Sequence, residues 1–220
     1  MTTPNFSAGR DVAIVGFAQT KHVRSEDTLS EVELIQPVIA EAMNQVGLDH
    51  HGFDFYCSGS SDYLAGQAFS FVMTLDAIGA WPPVAESHVE MDGAWALYEA
   101  YLKIRSGHAD TALVYGYGKS SPGDLPRVLS RMCEPYYTAP LWPTSVELAA
   151  LQARACIEAG ITSEAEMAEV AARDRRSARD NPNAQLAWDI GAAELLAGEY
   201  LANPLRRDDC APITDGGAAI

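Results

Sequence analysis

Two titratable side chains two residues apart stand out in the segment Glu86-Ser-His-Val-Glu90: His88 and Glu90. On a strand, residues two apart face the same side, so the imidazole and the carboxylate would meet as an acid/base couple. A hydrogen-bonded structural histidine and a carboxylate paired with some other charge account for the same residues. Asp92 follows, directly before Gly93-Ala-Trp-Ala-Leu97, where a helix opens. There it reads as an N-cap, with work as a base as the alternative. A helix N-terminus favours negative charge, and burial opposes it.

Other candidates carry less. His50-His51 follow a helix end and read as loop residues rather than metal ligands. Cys57, Cys133, Cys156 and Cys210 are scattered, with no C-x-x-C pair and no histidine at ligand spacing, which suits reduced thiols and no metal site. Gly116-Tyr-Gly118 is too sparse for a phosphate loop.

The elements that must position these residues alternate. Val12–Phe17 reads as a strand covered on both faces. Thr28-Leu-Ser-Glu31 reads as a capping box for a helix whose Leu29, Val32, Ile35, Val38, Ile39, Ala42 and Met43 share a face and which ends at Gly47. Phe53–Cys57 is a second strand, Ser58–Asp62 a polar turn, and Tyr63–Ile78 a helix broken by Trp81-Pro-Pro83. Val84–Val89 is a third strand and Thr111–Tyr117 a fourth. Between them Gly93–Ser106 is apolar almost all round, the mark of a helix packed on more than one side. Right-handed crossovers stack such a pattern into a mostly parallel sheet with helices on both faces. From Gly118 to Ser145 five prolines make a long irregular stretch. Helices at Val146–Glu158, Ser163–Arg179 and Asp189–Ala202 follow, and Asp215-Gly216 leads into a fifth strand.

The chain of 220 residues, 48% hydrophobic and 20% charged, has the balance of a globular protein with a sizeable core. A net charge of −15 argues against nucleic-acid binding and against docking on anionic membranes. No apolar run approaches the ~20 residues of a membrane span. The opening residues lack a signal peptide's apolar core, so a cytoplasmic protein is expected.

Four stretches resemble the thiolase superfamily, in its sterol-carrier and lipid-transfer branch. Val12-Ala-Ile-Val-Gly-Phe-Ala-Gln-Thr-Lys21 resembles the family's opening strand and turn. Gly93-Ala-Trp-Ala-Leu97 resembles the start of the buried helix after the nucleophile, and Ala109-Asp-Thr-Ala-Leu-Val-Tyr-Gly116 the strand beyond it. Cys210-Ala-Pro-Ile-Thr-Asp-Gly-Gly-Ala-Ala219 is similar to the family's Cys-x-Pro-x-Ser-Asp-Gly-Ala-Ala. The resemblance implies a layered α/β half of a thiolase over residues 1–220, with a loop and helical insertion at about 118–205. The second half, which in the family holds a catalytic histidine and another cysteine, is absent from these residues.

Aligned on the family's Cys-x-x-Gly, the nucleophile's position falls on Glu90 of Glu90-Met-Asp-Gly93, and no cysteine lies between Cys57 and Cys133. The resemblance therefore implies an acyl-CoA substrate in lipid or sterol metabolism, with coenzyme A as part of the substrate and no bound cofactor. The chemistry it implies is carbon–carbon cleavage of a β-hydroxy- or β-ketoacyl-CoA. Without the thiol this takes a retro-aldol form, known in relatives that act in steroid side-chain degradation, with Glu90, His88 and Asp92 as site residues. Two alternatives stand beside it: a non-catalytic scaffold subunit of a complex, and a 3-ketoacyl-CoA thiolase with a displaced nucleophile. Arg173, Arg175 and Arg176 could meet coenzyme A phosphates or form a solvated helix face. Tyr136-Tyr137 could line an acyl pocket or plug a core. Half a two-sheet sandwich leaves a face of the Gly93 helix bare, so a homodimer or a thiolase-like or OB-fold partner is expected.

Overall fold

A computed structural model describes residues 10–62, 68–79 and 84–220. The chain divides into two compact units, Met1–Pro122 with Asp215–Ile220, and Gly123–Thr214.

The first unit is built on five strands: β1 (Ala18–Gln19), β2 (Phe55–Ser60), β3 (Glu86–Glu90), β4 (Ala112–Gly118) and β7 (Gly216–Ala219). Strands β5 (Tyr200–Ala202) and β6 (Leu205–Arg206) belong to the second unit. The sheet order is β1-β7-β4-β2-β3, with β2 parallel to β3 and β4, and β7 antiparallel to both its neighbours. This is the expected mostly parallel α/β sheet of five strands with helices on both faces.

Helix α1 (Glu31–Val46) opens on a capping box, but on Ser30 and Glu33 rather than on Thr28 and Glu31. Thr28 is already committed: its amide and hydroxyl both bond to the Glu26 carboxylate in the turn before. Gly47 ends the helix at φ 68°, a left-handed position that favours glycine. Ile35, Val38, Ile39 and Ala42 pack on the sheet face formed by Tyr56, Leu113, Tyr115 and Tyr117.

On the same side lies α2 (Ser70–Thr74), continued by a tight turn at Leu75–Ile78. The expected helix over Tyr63–Ile78 is thus shorter. Residues 63–67 lie outside the described residues, and Phe69, at φ 56°, is itself left-handed rather than helical. The Trp81-Pro-Pro83 break also lies outside them.

Helix α3 (Gly93–Arg105) covers the opposite face, burying Ala96 and Ala100 against Phe55, Cys57 and Val114. The expectation of burial on more than one side is not met. Trp95, Tyr98 and Leu102 on its outer side are 49%, 52% and 46% exposed, because no second layer among the described residues covers them.

Two strand boundaries also differ from the sequence pattern. Val12–Phe17 was expected to pair, yet pairing begins at Ala18, and Ile14 and Val15 are exposed. The amide and carbonyl of Phe17 are held instead by the Gln45 side chain, at 2.9 Å each. Strand β2 runs on through Ser60 where a turn was expected, since its inward serines find hydrogen-bond partners.

The second unit holds α4 (Leu125–Arg131), α5 (Ser145–Glu158), α6 (Glu164–Ser177) and α7 (Ala192–Leu196). Ala168, Ala172 and Leu195 form its small core. The helix expected over Asp189–Ala202 shrinks to α7, because Tyr200–Ala202 pairs with Leu205–Arg206 as β5 and β6. The Arg206 guanidinium, nearly buried, bonds to Glu164 at 2.6 Å and anchors that ribbon to α6. No helix among the described residues is long and apolar enough to cross a membrane.

Candidate functional site

Register brings the site together. In the parallel pairs, Ser58 lies opposite both His88 on β3 and Tyr115 on β4. Directly paired residues share a face, so Tyr115, Ser58 and His88 form a row across three strands, on the α1 and α2 side. Ser58 Oγ is 2.9 Å from His88 Nδ1, and His88 Nε2 is 3.3 Å from Glu90 Oε2. Phe71 of α2 stacks on the His88 ring, with centroids 4.5 Å apart. The imidazole is thus clamped between a ring and a hydroxyl with only 10% of its side chain exposed, while Glu90 keeps 45%.

The other Glu90 oxygen accepts the Asp62 amide at 2.6 Å. Asp62 in turn gathers the amides of Phe69 and Ser70 and the Ser70 hydroxyl, at 2.6, 2.8 and 2.9 Å. Those bonds, the Ser70 amide foremost, hold the Asp62 carboxyl below the usual aspartate range. Glu90 therefore stands at the ends of β2 and β3, one oxygen accepting the Asp62 amide and the other facing His88 Nε2, with lone pairs still open to solvent.

Asp92 does other work. Its Oδ1 accepts the Ala94 and Trp95 amides at 2.9 and 3.1 Å, capping α3. The free amides at that helix start thus go to Asp92 and not to Glu90. Close approach of backbone lets α3 begin there. A Cβ on Gly59 would overlap the Asp92 carbonyl, and one on Gly116 would come within 3.0 Å of the Gly93 Cα.

The remaining candidates lie elsewhere. Cys57 is buried on the α3 side of β2, and burial, reinforced by Glu99 and Glu86, pushes its thiol up to about 12. A nucleophilic thiol needs the opposite shift. Tyr136 and Tyr137 are 82% and 83% exposed, so they neither line a pocket nor plug a core. Arg173 and Arg175 pair with Asp174 and Asp208. His50 and His51 lie against each other in a turn, their rings tilted by 48°. An apolar groove of about 420 Å³ runs between Val12–Gly16 and α3, away from His88 and Glu90.

Ser58, Tyr115, Asp62 and Phe71 were not singled out by sequence. The alternation Tyr56-Cys-Ser-Gly-Ser60 was the available signal, reading as a strand with a polar inner face once β4 and β3 flank it.

A mostly parallel sheet in the order β1-β7-β4-β2-β3, with α3 sprung from the end of β3 beside a candidate carboxylate, is a thiolase-like fold. The resemblance read from sequence is borne out: the fold is that of the thiolase superfamily. No protein-family profile matches the chain. It is 26% identical to the acetyl-CoA acetyltransferase of Methanothermobacter thermautotrophicus, over 96% of this chain and 56% of that one. To the acetyl-CoA acetyltransferase of Methanocaldococcus jannaschii it is 29% identical, over 96% and 55%. The chain therefore spans about half the length of the curated relatives it matches.

Among solved structures, the Ltp2-ChsH2(DUF35) aldolase superposes with a TM-score of 0.75 at 20% identity, over 94% of this chain and 54% of that one. A monomeric SCP2-thiolase like protein type 1 from Mycobacterium smegmatis gives 0.64 at 21% identity, over 94% and 44%. The Bacillus anthracis acetyl-CoA acetyltransferase gives 0.69 at 17% identity, over 97% and 66%.

Proposed function

We propose that this chain is the first half of a thiolase-like enzyme that cleaves a carbon–carbon bond in a β-hydroxyacyl-CoA without a covalent acyl-enzyme. One observation carries the reading. Where the family pattern places a thiolate, Glu90 stands solvent-accessible and braced by His88 and the Asp62 amide. A carboxylate is a poor acyl acceptor, since the mixed anhydride hydrolyses readily, but it is a serviceable base.

The step follows from that role. Glu90 takes the β-hydroxyl proton, the oxygen's electron pair forms a carbonyl, and the Cα–Cβ bond breaks. Its electrons pass into the thioester as an enolate, which gains a proton at Cα to leave a shortened acyl-CoA. The enolate oxygen needs hydrogen-bond donors, which a second half would supply. The aldolase whose fold the chain shares supports this direction. The acetyltransferases of similar sequence support the broader class, action on an acyl-CoA. A 3-ketoacyl-CoA thiolase reading would need a reactive thiol, and Cys57, the only cysteine of the first unit, is buried away from Glu90 with its pKa raised.

The test is chemical. The assembled protein, given an acyl-labelled β-hydroxyacyl-CoA, should release a carbonyl product and a shorter acyl-CoA and retain no label after denaturation. Label trapped on the protein overturns the non-covalent scheme.

A second reading, a scaffold subunit, is favoured by the outer face of α3. Trp95, Tyr98 and Tyr101 make a ladder there, with ring centroids 6.1 and 6.4 Å apart, and all three are exposed. Exposed aromatic patches mark interaction surfaces. The chain should pair through this face with a copy of itself or with a thiolase-like or OB-fold partner. Light scattering on the isolated chain should find dimers or larger at high concentration; a well-behaved monomer would count against self-pairing.

A further inference from the structure

The apolar groove beside α3 lies in the plane of the sheet, and the pairing on either side of it says what fits. Backbone groups along a strand alternate in direction. Thr20 gives its amide to the Gly217 carbonyl at 2.9 Å, so the groups of Ala18, Gly16 and Ile14 face the line of β7. Those of Phe17 face the other way, where the Gln45 side chain takes both. On the opposite wall, Val114 and Ile220 exchange amide and carbonyl at 2.9 and 2.8 Å. By the same alternation Ala112 turns its groups toward the line of β7. Among the described residues, no hydrogen bond reaches the backbone of Ile14 or Gly16. Where β7 runs, its neighbours β1 and β4 stand two strand spacings apart, about 9.6 Å. The groove of about 420 Å³ continues that interval and meets both layers. Ala42, Val46 and Phe53 line it on the α1 side, and Leu97, Tyr98 and Tyr101 on the α3 side.

We propose that this groove takes an extended peptide strand, apolar on both faces, that prolongs β7 and runs antiparallel to both walls. In the register that β7 already keeps, its first residue bonds to Gly16, its second to Ala112 and its third to Ile14. The first and third side chains fall on the α1 side with Ala219, and the second on the α3 side with Val114. A strand covered on both faces is apolar throughout and suits β-branched residues. An acyl chain would fill the same volume but leave the wall amides and carbonyls unpaired in apolar surroundings, which is costly. A helix satisfies its own backbone and leaves the same groups bare. The source of the strand, the remainder of the assembled enzyme, rests on the first-half reading above; the fit of the groove to a strand does not.

Amide hydrogen exchange tests the groove without any turnover. The chain is compared with a version carrying Val-Ile-Val-Val-Ala directly after Ile220. In the extended version the amides of Gly16, Ile14 and Ala112 should exchange at least roughly 10-fold more slowly, while those of Val15 and Ala13 keep their rates. The free peptide acetyl-Val-Ile-Val-Val-Ala-amide, added in excess to the unextended chain, should give the same alternation. Proline at the second appended position removes the N–H meant for Ala112 and should abolish the pattern. Exchange unchanged by both extension and peptide overturns the proposal, as does protection spread evenly from Ala13 to Gly16. Alternating protection already present in the unextended chain and rising with its concentration would put a second copy in the groove, and overturns it too. The alternation found, but no turnover of a β-hydroxyacyl-CoA by the assembled protein, would retain the groove and reject the enzyme reading.

Discussion

Glu90→Gln should lower turnover of the assembled enzyme by roughly 10²–10⁴-fold, the usual worth of a positioned general base. The substitution is nearly isosteric, and the glutamine carbonyl can still accept from the Asp62 amide or from His88, the contacts that brace the carboxylate at 2.6 and 3.3 Å. Asp62 should stay in place, since its own bonds to Phe69 and Ser70 do not involve Glu90. What disappears is the capacity to hold the substrate's proton. The loss should therefore fall on kcat and on kcat/KM alike, with KM little changed, as for an interaction made only in the transition state. Turnover that survives in the glutamine variant removes Glu90 from the mechanism and turns attention to the scaffold reading.

The second large effect is on the fold. Gly59→Ala should destabilise the chain by about 3 kcal/mol, at the upper end of what forced overpacking costs. The added Cβ would overlap the Asp92 carbonyl and lie 2.8 Å from the Gly93 nitrogen, both backbone atoms with no side chain to yield. The Asp92 carbonyl also accepts the Ala96 amide at 3.2 Å, so moving it disturbs the first turn of α3. For a chain of this size the melting temperature should fall by roughly 6–12 °C. Gly191→Ala, where a Cβ meets open space, is the control and should stay within about 0.5 kcal/mol. Equal melting temperatures for the two variants would mean that α3 does not rest on β2 as closely as described.

Both effects depend on features that the sequence showed unequally. The alternation of apolar runs, the glycine after α1 and the residues around Gly93 and Asp215 were enough for the fold class, because hydrophobic period and helix-stop chemistry are local. His88 and Glu90 were legible as a same-face pair for the same reason: a strand's two-residue period is a property of the backbone. So was Asp92 as a cap, since Ala94 and Trp95 lie within its own turn.

Competing local signals misled at the edges of elements. Thr28 and Ser30 both offer a capping hydroxyl, and Glu26 decided between them by taking Thr28. Asp189–Ala202 has helical composition, but Tyr200–Ala202 found a strand partner in Leu205–Arg206.

Only the tertiary structure could decide what stands behind the pair. Ser58 and Tyr115 are separated along the chain from His88 by 30 and 27 residues, and each is unremarkable where it occurs. They come abreast of His88 because β4, β2 and β3 settle side by side in a register that places all three in one row. Register is chosen by the burial of whole faces, here Tyr56, Leu113 and Tyr115 against α1. The same holds for α3. Its composition called for two packed sides, and whether the second is covered depends on another layer, which no local pattern in these residues encodes.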